Sequence, residues 1–193
     1  MTTQTPHDRL QQPQDVLRQP QDVLRQPPDC TATLIEPNGL IPNNSRVPLL
    51  VYKQAVSMSS GDPAAAFEAL FTQNNWRGSW RDGIYGFHHY HSTAHEVLGI
   101  YRGTATVQLG GDDGLTVQLS TGDVVVIPAG VAHKNLGSSR DFGVVGAYPA
   151  GQQWDMNYGK AEEHPQVDEN IAGVPKPGYD PLYGERGPLV ELW

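Results

Sequence analysis

The strongest constraint on this fold is a pair of segments, distant in the chain, whose histidines make chemical sense only if folding brings them to one place. Residues 83–103 read GIYGFHHYHSTAHEVLGIYRG and residues 122–135 read GDVVVIPAGVAHKN. His89 and His91 stand two apart in an aromatic run, and side chains two apart on a strand project from one face. After Ser92, Thr93 and Ala94 the alternation resumes with Glu96, Leu98 and Ile100, which predicts a return strand carrying a carboxylate back beside both imidazoles. In the second segment the apolar residues 124–127 end in the turn Pro128-Ala129-Gly130, after which a new strand is expected to bring His133 to the same place. Three neutral nitrogens and one carboxylate oxygen suit one divalent transition metal ion (Mn, Fe, Co, Ni, Cu or Zn) better than Ca or Mg. His88 and His95 have the opposite parity, so they are expected to point away, behind the ligands or toward solvent. Glu96 has a second reading, as a base left free of the metal.

The rest of the chain favours strands. Its 21 Gly and 16 Pro among 193 residues separate short apolar alternations, which predicts an all-β barrel or sandwich. Strands are expected near Ala32 and Leu34 and over residues 47–52, 104–109, 115–119, 122–127 and 142–148, with a hairpin turn at residues 110–114. One short helix is expected from Pro63, capped by Asp62, with Ala66, Phe67, Leu70 and Phe71 as its core stripe. Residues 74–81, NNWRGSWR, read as a loop whose tryptophans cover the barrel. Arg77 or Arg81 in that loop is the candidate to meet an anionic substrate.

Residues 12–18 read QPQDVLR, residues 19–25 repeat it, and Gln26 begins a third copy. The seven-residue period suggests a coiled coil, but Pro13, Pro20 and Pro27 remove a helical hydrogen bond and add a clash in every second turn. Residues 1–30 are therefore expected to form a disordered Gln/Pro arm, with docking through the repeated Val-Leu pairs as the alternative. Residues 31–148 would form the barrel. Residues 149–193 lose the alternation, yet Tyr158, Tyr179, Leu182, Tyr183 and the terminal LVELW are too apolar for a free tail. They are expected to pack on the barrel or on a partner subunit.

A net charge of −8 with no lysine or arginine cluster argues against nucleic acid and anionic membrane as partners. No apolar run reaches about eighteen residues and the N-terminus lacks a secretory core, so a cytoplasmic location is expected. Cys30, the single cysteine, cannot form an internal disulfide, and no catalytic role is expected for it.

Gly83, His89, His91, Glu96 and Gly103 fill every fixed place of the first motif of the cupin superfamily, which the chain resembles. Gly122, Pro128, Gly130 and His133 fit its second motif, while Gly137 stands at the final Asn position and Asn135 comes two residues early. More widely, residues 34–193 resemble the YjlB-like small bacterial single-domain cupins, through residues 82–99, 106–111, 127–135 and 187–189. The resemblance implies a double-stranded β-helix (jelly-roll) barrel, a homodimer, a small-molecule ligand, and His89, His91, Glu96 and His133 as metal ligands. Cupins include dioxygenases, isomerases, epimerases, decarboxylases and non-catalytic binding domains. The first expectation is a dioxygenase-like oxidoreductase acting on a small organic acid or carbonyl compound. The alternatives are a non-catalytic module that binds or senses an acid or sugar, and an isomerase or epimerase. In any of these Phe87, Leu98 and Ile100, which share the ligands' parity, would line the pocket.

Overall fold

The computed structural model describes residues 23–58 and 61–193; most of the expected arm, residues 1–22, lies outside them. Six strands form one antiparallel sheet: β1 (Cys30–Ile35), β2 (Asn44–Tyr52), β3 (Trp76–Asp82), β4 (Glu96–Arg102), β7 (Val124–Ile127) and β9 (Gly143–Pro149), in the spatial order β1-β2-β7-β4-β9-β3. The other three, β5 (Thr104–Leu109), β6 (Leu115–Ser120) and β8 (His133–Ser138), form a second sheet in the order β6-β5-β8. Leu49, Val51, Leu98, Ile100, Val125 and Ile127 of the large sheet meet Ala105, Val107, Leu109 and Leu119 of the small one in a shared core. Two antiparallel sheets closed over such a core are the all-β jelly-roll barrel expected from the sequence.

The large sheet is covered on its outer face as well. Along β4, Leu98 and Ile100 pack into the barrel core while Val97 packs outward with Phe67, Leu70 and Phe71. These come from α1 (Pro63–Gln73), whose N-terminus is capped as expected, with Asp62 Oδ1 accepting from the Ala64 amide at 3.0 Å. Burying each such large side chain contributes about 1.5–3 kcal/mol. Ala64, not Ala66, completes the buried stripe. A Cβ at Gly99 would stand 2.4 Å from the Phe67 ring, so the absence of a side chain there lets the helix lie flush on β4.

Most of the loop expected at residues 74–81 instead belongs to the edge strand β3, paired with β9. Trp76 is fully buried and its Nε1 donates to the Tyr179 carbonyl at 3.0 Å. The tail also departs from expectation, since it contains α2 (Gln166–Gly173) and α3 (Pro188–Leu192) beyond the one helix read from the sequence. It wraps the barrel around Asp180. That buried carboxylate accepts from Tyr52 Oη at 2.6 Å and from the amides of Leu182, Tyr183 and Leu189 at 2.9, 3.0 and 3.0 Å. Leu189 is buried and Trp193 Nε1 donates to the Pro48 carbonyl at 2.8 Å, whereas Val190 and Leu192 stay exposed because this short helix offers the barrel one face.

Residues 23–30, expected as the end of the disordered arm, are seated on the barrel. Val23 is buried beside Ala55 and Val56, the Arg25 amide donates to the Ala55 carbonyl at 2.8 Å, and the Ser57 amide donates to the Val23 carbonyl at 2.8 Å. This one Val-Leu pair is ordered because its backbone finds hydrogen-bond partners and its valine is buried on the chain's own barrel. No helix among the described residues is long and apolar enough to cross a membrane.

Candidate metal centre

His133 and Glu96 are the first residues of β8 and β4, and both are buried. The segment carrying His89 and His91 is not the expected regular strand. It is irregular chain held by bridges on both sides: His89 pairs with His133 through two backbone hydrogen bonds of 3.3 and 3.0 Å, Tyr90 pairs with Asn157, and the Gly130 amide donates to the His91 carbonyl at 2.8 Å. Parity survives this irregularity. Tyr90 turns away into a cluster with Ala132 and Val167 and donates to Glu163 Oε2 at 2.8 Å, leaving His89 and His91 together on the other side.

Asp155 clamps the turn between the histidines and Glu96. Its carboxylate accepts from the Ser92 amide at 2.6 Å, from the Thr93 amide at 3.3 Å, from Asn157 Nδ2 at 2.8 Å and from the Ser92 hydroxyl. Its carbonyl accepts from His91 Nδ1. A carbonyl can only accept, so His91 carries its proton on Nδ1 and presents a bare Nε2. His89 Nδ1 meets the Phe87 carbonyl at 3.3 Å with the same consequence. The turn at residues 128–130 depends on Gly130, which has φ +90° and whose Cβ would meet the Asn43 carbonyl oxygen at 2.4 Å.

The three histidines offer ring nitrogens within 4.8 Å of one another, a buried group able to hold a metal ion. Glu96 lies outside that mutual radius but against two of its members, with Oε1 3.5 Å from His91 Nε2 and Oε2 3.3 Å from His133 Nε2. Oε1 accepts from Tyr148 Oη at 2.9 Å, whereas Oε2 makes no hydrogen bond although it is buried. An unpartnered buried carboxylate oxygen is costly in a protein interior. Here it lies 3.3 Å from His133 Nε2, in a cluster where His89 and His91 present bare ring nitrogens, so the residues fit a cation placed among them.

The electrostatics agree. Burial alone would raise the Glu96 carboxyl, but His91, His133 and the Tyr148 hydroxyl outweigh it and hold it down at about 2. Burial, reinforced by His89, lowers His133 to about 3, and burial lowers His89 as well. Burial also acts to lower His91, but the Glu96 carboxylate beside it prevails and the net shift is upward. At neutral pH the cluster therefore holds an ionised carboxylate beside two neutral imidazoles, His89 and His133, the form in which those three groups bind metal, while Glu96 favours a proton on His91 that an ion would have to displace.

The remaining candidates sort differently. His88 is away from the cluster, with Nε2 3.0 Å from Asp112 Oδ1. His95 is neither a ligand nor solvent-facing: it is buried, Nδ1 accepts from the Ala129 amide at 3.0 Å, its ring lies 4.6 Å from that of Trp193, and burial lowers it to about 4. Arg81 reaches no site group. Its guanidinium is committed to Glu68 at 2.6 and 2.7 Å and to Asp62 at 2.9 Å. Arg77 borders a separate groove. Asn135, two places early for the family motif, accepts from the Gly137 amide at 2.8 Å and donates to Ser138 Oγ at 3.1 Å, a local turn within β8.

A cavity of about 400 Å³ opens on His89, His91, Glu96 and His133, with Trp80, Ile84, Tyr85, Leu98, Tyr148, Trp154 and Met156 among its walls. Leu98 lines it as expected, but Ile100 belongs to the barrel core and Phe87 is half exposed, stacked outside on Tyr85 at 5.0 Å. Tyr148, Trp154 and Asp155 were not singled out from the sequence, because β9 is buried on both faces and shows no alternation, and residues 154 and 155 lie in irregular chain.

A jelly-roll barrel with a buried histidine cluster at the mouth of a cavity defines a cupin, and comparison with known proteins agrees. The family model described as Cupin domain matches residues 82–139. Over 164 residues, 84% of this chain and 96% of the relative, the sequence is 44% identical to Uncharacterized protein YjlB of Bacillus subtilis (strain 168). The chain belongs to the cupin family, in the group of small cupins to which YjlB belongs. Similar solved structures include acireductone dioxygenase from Bacillus anthracis with a cadmium ion in its active centre, 17% identical with a TM-score of 0.36 over 49% of this chain and 63% of that one. Another is the S161A mutant of Bacillus subtilis oxalate decarboxylase OxdC, 16% identical with a TM-score of 0.30 over 68% of this chain and 27% of that one. The matched part spans less than two thirds of either protein, and likenesses this distant say nothing of the substrate here.

Proposed function

We propose that this cupin is a metal-dependent oxidoreductase in which His89, His91, Glu96 and His133 hold one divalent transition metal ion. The observation that carries the reading is the cavity, which ends on all four of these side chains and leaves room for a small molecule beside them. Such an ion, when bound, polarises an oxygen of the ligand as a Lewis acid and, if redox-active, exchanges electrons with it.

The chain's own residues prepare the site. Asp155 and the Phe87 carbonyl fix the tautomers of His91 and His89, and Glu96 supplies the negative charge. Tyr148 Oη, which accepts from Trp80 Nε1 at 3.0 Å and donates to Glu96 at 2.9 Å, stands at the boundary of cluster and cavity, where it can hold or pass a proton. Burial and the neighbouring Glu96 both raise the Tyr148 hydroxyl, so it stays a donor at neutral pH.

The test is elemental analysis of native-purified protein followed by an oxygen-uptake screen over small acids, diketones and phenols. One metal per chain with substrate-dependent uptake supports the proposal. Stoichiometric metal with ligand binding but no turnover across the screen would favour the non-catalytic binding module.

A further inference from the structure

The cavity that meets the metal cluster is walled largely by aromatic and aliphatic side chains and, among the described residues, has no uncommitted cationic side chain. Trp80, Tyr85, Tyr148 and Trp154 supply its rings, with Ile84 and Leu98 between them. Tyr148 and Trp154 lie near-parallel, 24° apart with ring centroids at 6.1 Å, and Trp154 stands 5.5 Å from the His91 ring. Trp154 and Tyr85 are each about half exposed, at 51% and 50%. They line the cavity although Phe87 stacks on Tyr85 and Tyr148 on Trp154, and their half-exposed rings leave aromatic surface free to pack on a flat ligand.

The charges point the same way. Arg81 is the one lysine or arginine in the wall, and Glu68 and Asp62 take up its donors. Asp82 and Glu96 add two more carboxylates to the lining. One arginine thus faces four carboxylates, two of them paired to it, and a divalent ion would balance the other two without leaving a cationic side chain for the ligand. A free carboxylate or phosphate on the ligand would have no partner other than the metal, and a second anionic group would meet the exposed Asp82 carboxylate or be desolvated against an apolar wall.

We propose that the ligand of this cavity is an uncharged planar aromatic molecule with adjacent oxygen donors, of the phenol or catechol class, and not an aliphatic carboxylic acid. This rests on the metal reading above, because the oxygen donors are directed to the cluster while the ring packs against Trp154 and Tyr85. It departs from the small organic acid or carbonyl compound expected from the sequence, because such an acid would lack a cationic side chain to meet it.

Zinc is redox-inert and permits binding to be read without turnover. The full-length zinc-loaded chain is titrated anaerobically by calorimetry with catechol and with pyruvate, two small molecules that each offer two adjacent oxygens. Catechol is expected to bind about tenfold tighter or more. Trp154→Ala is expected to weaken catechol about tenfold and pyruvate less than about twofold, since base-independent ring contacts are lost only for the aromatic probe. Tyr85→Leu, at a half-exposed position, should show the same split and serves if Trp154→Ala fails to fold. Pyruvate binding as tightly as catechol, or variants that weaken both probes alike, would overturn the inference. If the chain takes up no zinc, the metal reading itself fails. The aromatic wall is then judged on the metal-free chain, where catechol binding lost in Trp154→Ala supports it and absence of binding overturns it.

Discussion

Tyr148 donates to Glu96 Oε1 at 2.9 Å while Glu96 Oε2, only 3.3 Å from His133 Nε2, has no hydrogen bond. One oxygen of the carboxylate is oriented by the protein and the other is left for a cation. Tyr148→Phe removes the orienting donor without creating a clash. It is expected to keep one metal per chain at saturation but to weaken affinity by about tenfold or more, as partners of metal ligands commonly do. Competition with a colorimetric chelator reads the change, and an unaltered affinity would mean that Tyr148 does not position Glu96.

Stability of the metal-free protein should fall on mild acidification. Burial holds His133 at about 3 and His95 at about 4, below the ordinary 6.5. Below about pH 6.5 the unfolded chain binds protons that the folded chain refuses, so each of these histidines costs on the order of 1 kcal/mol per pH unit down to its folded value. The upward shift of His91 opposes this in part. Urea midpoints at pH 7, 6 and 5 should decline, and His95→Gln should flatten the decline. Equal midpoints across that range would contradict the buried neutral state.

The packing of α1 on β4 makes a separate prediction. Gly99→Ala places a Cβ 2.4 Å from the Phe67 ring and should destabilise by about 1–3 kcal/mol through overpacking. Adding Phe67→Leu should recover part of the loss. A melting temperature unchanged in Gly99→Ala would show that the helix shifts freely.

The N-terminal boundary can be tested by two truncations. A chain starting at Val23 keeps the contacts to Ala55 and Val56, and a chain starting at Thr31 loses them. The first should melt with the full-length protein. The second should lose stability on the order of 1.5–3 kcal/mol, the worth of one buried valine. Identical melting of both truncations would mean that the seat of Val23 contributes nothing.

The candidate ligands were readable in the sequence because their spacing survives even where the secondary structure does not. His89 and His91 share a side through parity alone, although bridges and not a regular strand hold them. What could not be read was tertiary. Strands β7 and β9 are buried on both faces and carry no alternation, while α1 and the tail that cover them are distant in the chain. β3 alternates tryptophan with exposed polar residues at a sheet edge, which from sequence alone resembles a loop. Arg81 looked available for an anion until Glu68 and Asp62, thirteen and nineteen residues earlier, were placed around it. Whether His95 lay behind the ligands or faced solvent stayed open because nothing near it in sequence announces that Trp193 covers it.

The most direct test of the central claim is metal content by elemental analysis for the wild type and for His91→Ala, Glu96→Gln and His88→Ala, each reconstituted with zinc and desalted. The wild type and His88→Ala are expected to retain about one zinc per chain, while His91→Ala and Glu96→Gln lose most of it, because the first removes one of only four donors and the second the one anionic donor. Full zinc retained in His91→Ala, or lost only in His88→Ala, would contradict the assignment of the site.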